Sequence, residues 1–272
     1  MRGSWKIKVF VLFALVFAFL TPFASAEQRE FTQEEREEVS FFVLGNMVFA
    51  LYHELGHALV DQLEIPVLGR EEDAVDTLAT LLMLPEEADD IADEMILAAA
   101  DGYAMASAME GVGELAYWGE HSMDLQRFAS VICLVYGSDP DGFRELAEEL
   151  EMPQSERDRC PFTYDQAIDN WEALLEPYRA DGGGSSGRIE LTFESGPNVD
   201  PALIDFLDSA GVFHEAVDII GYEFDLPRPI QVSFKSCQAV NAYYHPDTAS
   251  VTICYELAEF FRNLIVADIL QR

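Results

Sequence analysis

The chain has 272 residues, half of them apolar and 12% aromatic, which is enough to bury a substantial core within one domain. Fifty acids face 16 bases, a net charge of −34, and loss of Arg2, Lys6 and Lys8 with a cleaved leader would leave 13 bases and a charge of −37. Nucleic acid and anionic membrane surfaces are poor partners for such a field, which suits either a salty habitat or an acidic exported protein.

Arg2, Lys6 and Lys8 precede an apolar run over 9–23, and Ala24-Ser25-Ala26 follows it as a small-residue cleavage site. Residues 1–26 therefore read as a secretory signal peptide, and the mature chain is expected in the periplasm or outside the cell. The run is short for a stable membrane span, and no cysteine follows it for lipid attachment. No other segment reads as apolar and uncharged for long enough to cross a bilayer.

Thr32-Gln33-Glu34-Glu35 is a capping box, and apolar residues keep helical spacing over 35–63 with no proline until Pro66. This helix carries His53-Glu54-Leu55-Gly56-His57. At i and i+4 the two imidazoles leave one face and can ligate a single metal ion, with Glu54 beside them to accept a proton from water. Val48, Leu51, Leu55, Ala58 and Leu59 fill the neighbouring turns, an apolar setting in which bare histidines would be poorly solvated. Gly56 is a poor helix residue unless another backbone or a substrate passes close to it.

Two histidines leave zinc short of a third protein ligand. A histidine one turn further on would need glycine at 60 and histidine at 63, where the chain has Val60 and Leu63. After a turn over 66–69, Glu71-Glu72-Asp73-Ala74-Val75-Asp76 opens a second helix that Pro85 stops. Glu72 and Asp76 share a face there, so Glu72 can bind the metal while Asp76 orients the His53 imidazole. Glu71 and Asp73 stay open as alternative ligands. One Zn2+ is the expected ion, because mixed imidazole and carboxylate donors suit it.

Helices are expected over 85–109, 124–136, 140–150 and 164–175, each bounded by proline, glycine or a polar break. The stretch 181–187, Asp181-Gly182-Gly183-Gly184-Ser185-Ser186-Gly187, has the composition of a flexible linker. Beyond it the pattern changes to strands at 189–193, 230–234, 240–244 and 251–254, with helices over 201–222 and 255–270. The fold class is α+β: one domain over 27–272, helical over 27–180, with a small β-sheet from 188–272 beside the metal helix.

With these residues in place the chain resembles the gluzincins, HExxH metallopeptidases whose third ligand is a glutamate on a following helix. More closely, it is similar to a bacterial family of otherwise uncharacterised metallopeptidase-like proteins. The likeness rests on His53 to Asp76 with Gly69-Arg70-Glu71-Glu72-Asp73, then on Trp118, His121, Gln126-Arg127, Cys133, Tyr136-Gly137-Ser138-Asp139-Pro140, Cys160 and Trp171. The segment 237–257, with Asn241-Ala242-Tyr243-Tyr244 and Cys254-Tyr255-Glu256-Leu257, extends it.

In that family the Asn-Ala-aromatic strand precedes the HExxH helix, whereas here it comes last. A circular permutation joining old termini through 182–187 accounts for this order, and requires the two ends of the mature chain to lie close together. The resemblance also implies disulfides Cys133–Cys160 and Cys237–Cys254, the pairs nearest in sequence among three possible connectivities. Each would contribute roughly 3 kcal/mol in the chain-entropy model. A cysteine zinc site is the competing reading, weakened by the lack of CxxC spacing.

What the resemblance implies for function is an exported zinc peptidase. A peptide would extend the sheet at Asn241, Ala242 and Tyr243, and Glu54 would move the proton. His121 or Tyr244 would supply a further donor to the oxyanion, although His121 also suits a structural role and tyrosines in hairpins usually pack. His214 and His245 read as surface histidines. The other class of function open to this sequence is a zinc-binding envelope or partner-binding protein without catalysis, which retention of Glu54 argues against. Sequence leaves the oligomeric state open.

Overall fold

Thr32 opens the central helix, α1 (Gln33–Gln62): its hydroxyl accepts the Glu35 N–H while the Glu35 carboxylate accepts the Thr32 N–H. The computed structural model describes residues 29–85, 89–109, 118–180, 188–196 and 199–272. The expected signal peptide and the 181–187 linker lie outside the described residues.

From Phe42 to Gln62 α1 is buried on almost every side. By length and composition it could cross a membrane, so the expectation that no second stretch is long and apolar enough is corrected here. The apolar window of α1 is 78% buried against the rest of the protein, the environment of a core helix. Around it pack α2 (Glu71–Met83), α3 (Asp90–Met109) and α9 (Tyr255–Ile269). The pair α4 (Asp124–Ser138) and α6 (Gln154–Leu175) forms an outer layer against α2 and α3, with the short α5 (Arg144–Glu149) between them in sequence.

The turn that leads from α1 to α2 explains how two ligand-bearing helices come together. Ile65 N–H closes back onto the Val60 carbonyl, and Gly69 takes φ +125°, a conformation that side chains with a Cβ rarely adopt. Gly56 is where the two helices meet, since a Cβ on it would sit 3.0 Å from the Val75 Cβ. The close neighbour expected beside Gly56 is therefore α2.

The sheet has the order β1-β2-β4-β3. β1 (Ile189–Phe193), β2 (Ile230–Lys235) and β4 (Ser250–Cys254) are parallel, and β3 (Ala242–His245) joins β4 antiparallel as an edge strand. Helices α7 (Pro201–Ser209) and α8 (Val212–Glu223) form the β1-to-β2 crossover. Phe193 stacks on Phe234, Phe213 of α8 meets both rings edge-on, and β3 and β4 rest against α1. The architecture is thus the mainly helical α+β fold expected, with its sheet beside the motif helix.

Both disulfides pair as expected, Cys133 with Cys160 between α4 and α6, and Cys237 with Cys254 at the base of the β3–β4 hairpin. Some boundaries differ from the sequence reading. One helix expected over 201–222 is two, because Gly211 breaks it at φ +77°. α6 begins ten residues earlier than expected and carries Pro161 inside it, and α3 begins at Asp90. Arg29 donates to the Ile269 carbonyl and Arg272 pairs with Glu38, so the first and last described segments are neighbours. A permuted order requires this, and domains with ordinary order commonly show it as well.

Candidate metal centre

His53 and His57 leave α1 one turn apart toward the first turn of α2, where Glu72 meets them. The His53 Nε2 lies 3.1 Å and the His57 Nε2 3.4 Å from the Glu72 Oε2, and the two Nε2 atoms are 3.3 Å apart. Ligand atoms of His53, His57 and Glu72 all fall within 4.8 Å of one another. Of the three acids at the start of α2, Glu72 joins the histidines, Glu71 reaches the far side of His57, and Asp73 is exposed.

The other nitrogen of each imidazole is occupied by a carboxylate. His53 Nδ1 lies 2.7 Å from Asp76 Oδ1, and His57 Nδ1 lies 2.7 Å from Glu71 Oε1. An ionised carboxylate only accepts, so each Nδ1 donates to its own carboxylate; the Nε2 atoms that face Glu72 donate to it while the rings are protonated, and would offer lone pairs to a metal ion that replaced those protons. Asp76 is ionised: burial raises its pKa, but hydrogen bonds from His53 and Arg127 outweigh that and hold it below the usual range. Asp76 thus lies against His53 on the ring edge opposite the one that faces Glu72.

This donor set fits a cation. Burial pushes the Glu72 pKa up, but the three imidazoles around it, His121 first, drive it well below the ordinary value. Burial likewise favours neutral His53, yet the bonds to Asp76 and Glu72 lift its pKa to about 9. The carboxylates of Glu72 and Asp76 therefore demand positive charge at His53, which a proton or a metal ion can supply. Three converging groups, with the second nitrogen of each histidine already committed to a carboxylate, form a cluster that could hold a metal ion.

Glu54, one residue past His53, is buried. Burial raises its pKa, an effect that the positive histidines and the Tyr244 backbone N–H partly offset. The edge strand β3 thus touches the motif helix through that N–H. His121 places its Nε2 2.8 Å from Glu72 Oε2, with its ring stacked 6.0 Å from that of His53, and half of its side chain is exposed. Tyr244 does not bring its hydroxyl to this cluster; it donates to Asp61 on α1 at 2.8 Å. Asn241 and Tyr243 flank Ala242 at the start of β3, and the Asn241 carbonyl accepts the Cys254 N–H. His214 and His245 are exposed, as expected. A second grouping, Cys237, Cys254 and Glu256, holds no metal because its sulfurs are joined to each other.

The family model described as "Putative metallopeptidase" matches residues 8–175 and 197–270. The chain belongs to that family. Membership in a metallopeptidase family implies a metal, and His53, His57 and Glu72 are the described residues grouped to receive one together. Among curated proteins and among solved structures, no match to the chain was found.

Sequence reasoning missed two partners in this family member's site. Arg127 grips Asp76 with two bonds of 2.7 Å, and Asp61 holds Tyr244. Arg127 stood among the residues of the resemblance, but nothing local to α4 ties it to Asp76, 51 positions away. Asp61 lies four residues after His57 on the same helix, and that spacing was the available signal.

Proposed function

We propose that this protein is an exported, zinc-dependent peptidase that cleaves peptide bonds with Glu54 as general base. The observation that carries the reading is the convergence of His53, His57 and Glu72 beside buried Glu54. Two disulfides and the apolar N-terminal run are compatible with export.

His53, His57 and Glu72 would hold the ion, with Asp76 and Glu71 keeping the imidazoles in the ligating tautomer. When bound, zinc supplies Lewis acidity, polarising the scissile carbonyl and making a water easier to deprotonate. Glu54 takes the proton from the attacking water and passes it to the leaving amine. Its raised pKa brings the carboxyl closer to neutral pH, where a base that must also act as an acid is most effective.

A peptide strand would pair with the open edge of β3 along Asn241, Ala242 and Tyr243, which aligns one carbonyl over the centre. His121 is the better placed of the two expected oxyanion donors: its Nε2 already lies beside Glu72, while the Tyr244 hydroxyl is engaged by Asp61.

The test compares purified mature protein with Glu54→Gln by metal analysis and by profiling newly cleaved peptide termini in a mixed proteome. Expected are one zinc per chain in both and new termini with the wild type alone. Termini that appear equally with both proteins, or a wild type that holds no metal, would overturn the reading. A zinc-loaded wild type that cleaves nothing would favour the binding-protein alternative.

A further inference from the structure

Asp76 is held from two sides at once. One oxygen faces His53 Nδ1 at 2.7 Å, and both oxygens are gripped by Arg127, Nε to Oδ2 and a terminal nitrogen to Oδ1, each at 2.7 Å. The guanidinium is stacked in turn over the Tyr103 ring on α3, 4.2 Å from its centroid. The chain of contacts therefore runs from Tyr103 through Arg127 and Asp76 to His53, linking α3, α4, α2 and α1.

The side chains of Asp76, Arg127 and His53 are only 10%, 13% and 7% exposed. A carboxylate in such a place keeps its charge only when paired, and a planar fork bound at two points also fixes the rotation of the carboxylate about its own axis. His57 offers the contrast: its partner Glu71 is 47% exposed, so water competes with the imidazole for its carboxylate. The two ligating imidazoles are therefore held unequally, and the firmer hold is on His53.

We infer that Arg127 is a positioning residue for the metal centre: by clamping Asp76 it fixes the His53 ring and the tautomer that presents the Nε2 lone pair. This rests on the metal reading above. A purely structural role for Arg127, tying α4 to α2, would leave the His53 tautomer and metal affinity unchanged in any variant that folds.

The test uses the purified mature chain and three variants, Arg127→Met, Arg127→Lys and, as a control for charge, Asp76→Asn. Zinc affinity is measured by competition with a chromophoric chelator. The His53 tautomer is read in metal-free protein at a pH above about 9, where the ring is neutral, by nitrogen-detected imidazole NMR, and folding by circular dichroism and thermal unfolding. Loss of such supporting bonds typically costs 10–100-fold in affinity. The expected result is a loss of about that size for Arg127→Met with a mixed His53 tautomer, and a smaller loss for Arg127→Lys, which keeps the charge but not the fork.

Should Arg127→Met fail to fold, Arg127→Lys is the decisive variant. A folded Arg127 variant with wild-type zinc affinity and an unchanged His53 tautomer would overturn the inference. If the wild type binds no zinc, the functional reading fails by itself, and the tautomer measured in metal-free protein still decides the role of Arg127.

Discussion

Gly56 and Val75 touch where α1 crosses α2: a Cβ added to Gly56 would stand 3.0 Å from the Val75 Cβ and 3.1 Å from its Cγ1. The contact lies between His53 and His57 on one helix and three residues past Glu72 on the other, so the spacing of the helices there sets the spacing of the donors. Alanine at 56 would gain about 1 kcal/mol of helix propensity, while overpacking in a tight core costs about 1–3 kcal/mol. The neighbour is the Cβ of Val75, which moves only with its backbone, so overpacking is the larger effect. Gly56→Ala is expected to lower stability modestly and weaken metal binding, and Gly56→Val to do both more severely, as read by denaturant unfolding and chelator competition.

The three acids that open α2 give a graded prediction. Glu72→Gln removes the carboxylate that meets both imidazoles and should abolish tight zinc binding. Glu71→Gln removes only the partner of His57 Nδ1, on the exposed side, and should cost about ten-fold or somewhat more in affinity. Asp73→Asn should leave affinity as in the wild type. Titration of each purified variant with zinc distinguishes them, and an equal loss for Glu72 and Asp73 would move the third ligand away from Glu72.

What sequence could reveal here followed the range of the interaction. The capping box at Thr32, the i, i+4 histidines and the Glu72–Asp76 pair are all set within a turn or two of one helix, and the structure has each in that geometry. The double bond from Arg127 to Asp76 is invisible at that range, since it depends on α4 lying against α2. Helix ends were read less well for a related reason. Pro161 suggested a boundary, yet α6 continues through it because packing on α4 and the Cys133–Cys160 bridge hold the turn that proline weakens. Gly211 was the missed signal in the other direction, a glycine that adopts positive φ and ends one helix before the next begins.

Glu256 makes a pH-dependent contribution next to the edge strand. Burial raises its pKa, but the Cys237 N–H, the Ser236 hydroxyl and the Gln238 N–H, all donating to its carboxylate, outweigh that and hold it below 4.5. A carboxyl with a lowered folded pKa stabilises the protein fully above its unfolded pKa, and the contribution is lost as the pH falls through the lower folded value. Glu256→Gln should therefore unfold at lower denaturant than the wild type at pH 7, with the gap closing as the pH drops below about 4.5. Midpoints measured across pH 3–7 check the sign, and a gap that widened in acid would refute it (the interval is roughly the carboxyl titration range).

The β3–β4 register separates the bonds that hold the sheet from those a peptide would use. The Cys254 N–H donates to the Asn241 carbonyl, so Asn241 and Cys254 form a hydrogen-bonded pair, and the alternation of an antiparallel ladder makes Tyr243–Thr252 and His245–Ser250 such pairs too. Ala242 and Tyr244 then turn their backbone groups away from β4, and the Tyr244 N–H is already directed to Glu54. Proline at 242 removes an outward N–H and no bond of the ladder, and edge strands tolerate proline. Ala242→Pro is expected to fold and bind zinc like the wild type while losing about ten-fold in kcat/KM toward a cleaved peptide, near the worth of one or two backbone hydrogen bonds. Unchanged peptide kinetics in a folded, zinc-loaded Ala242→Pro protein would mean that substrate does not pair with β3 through that residue, and the alignment of its carbonyl would have to come from side chains instead.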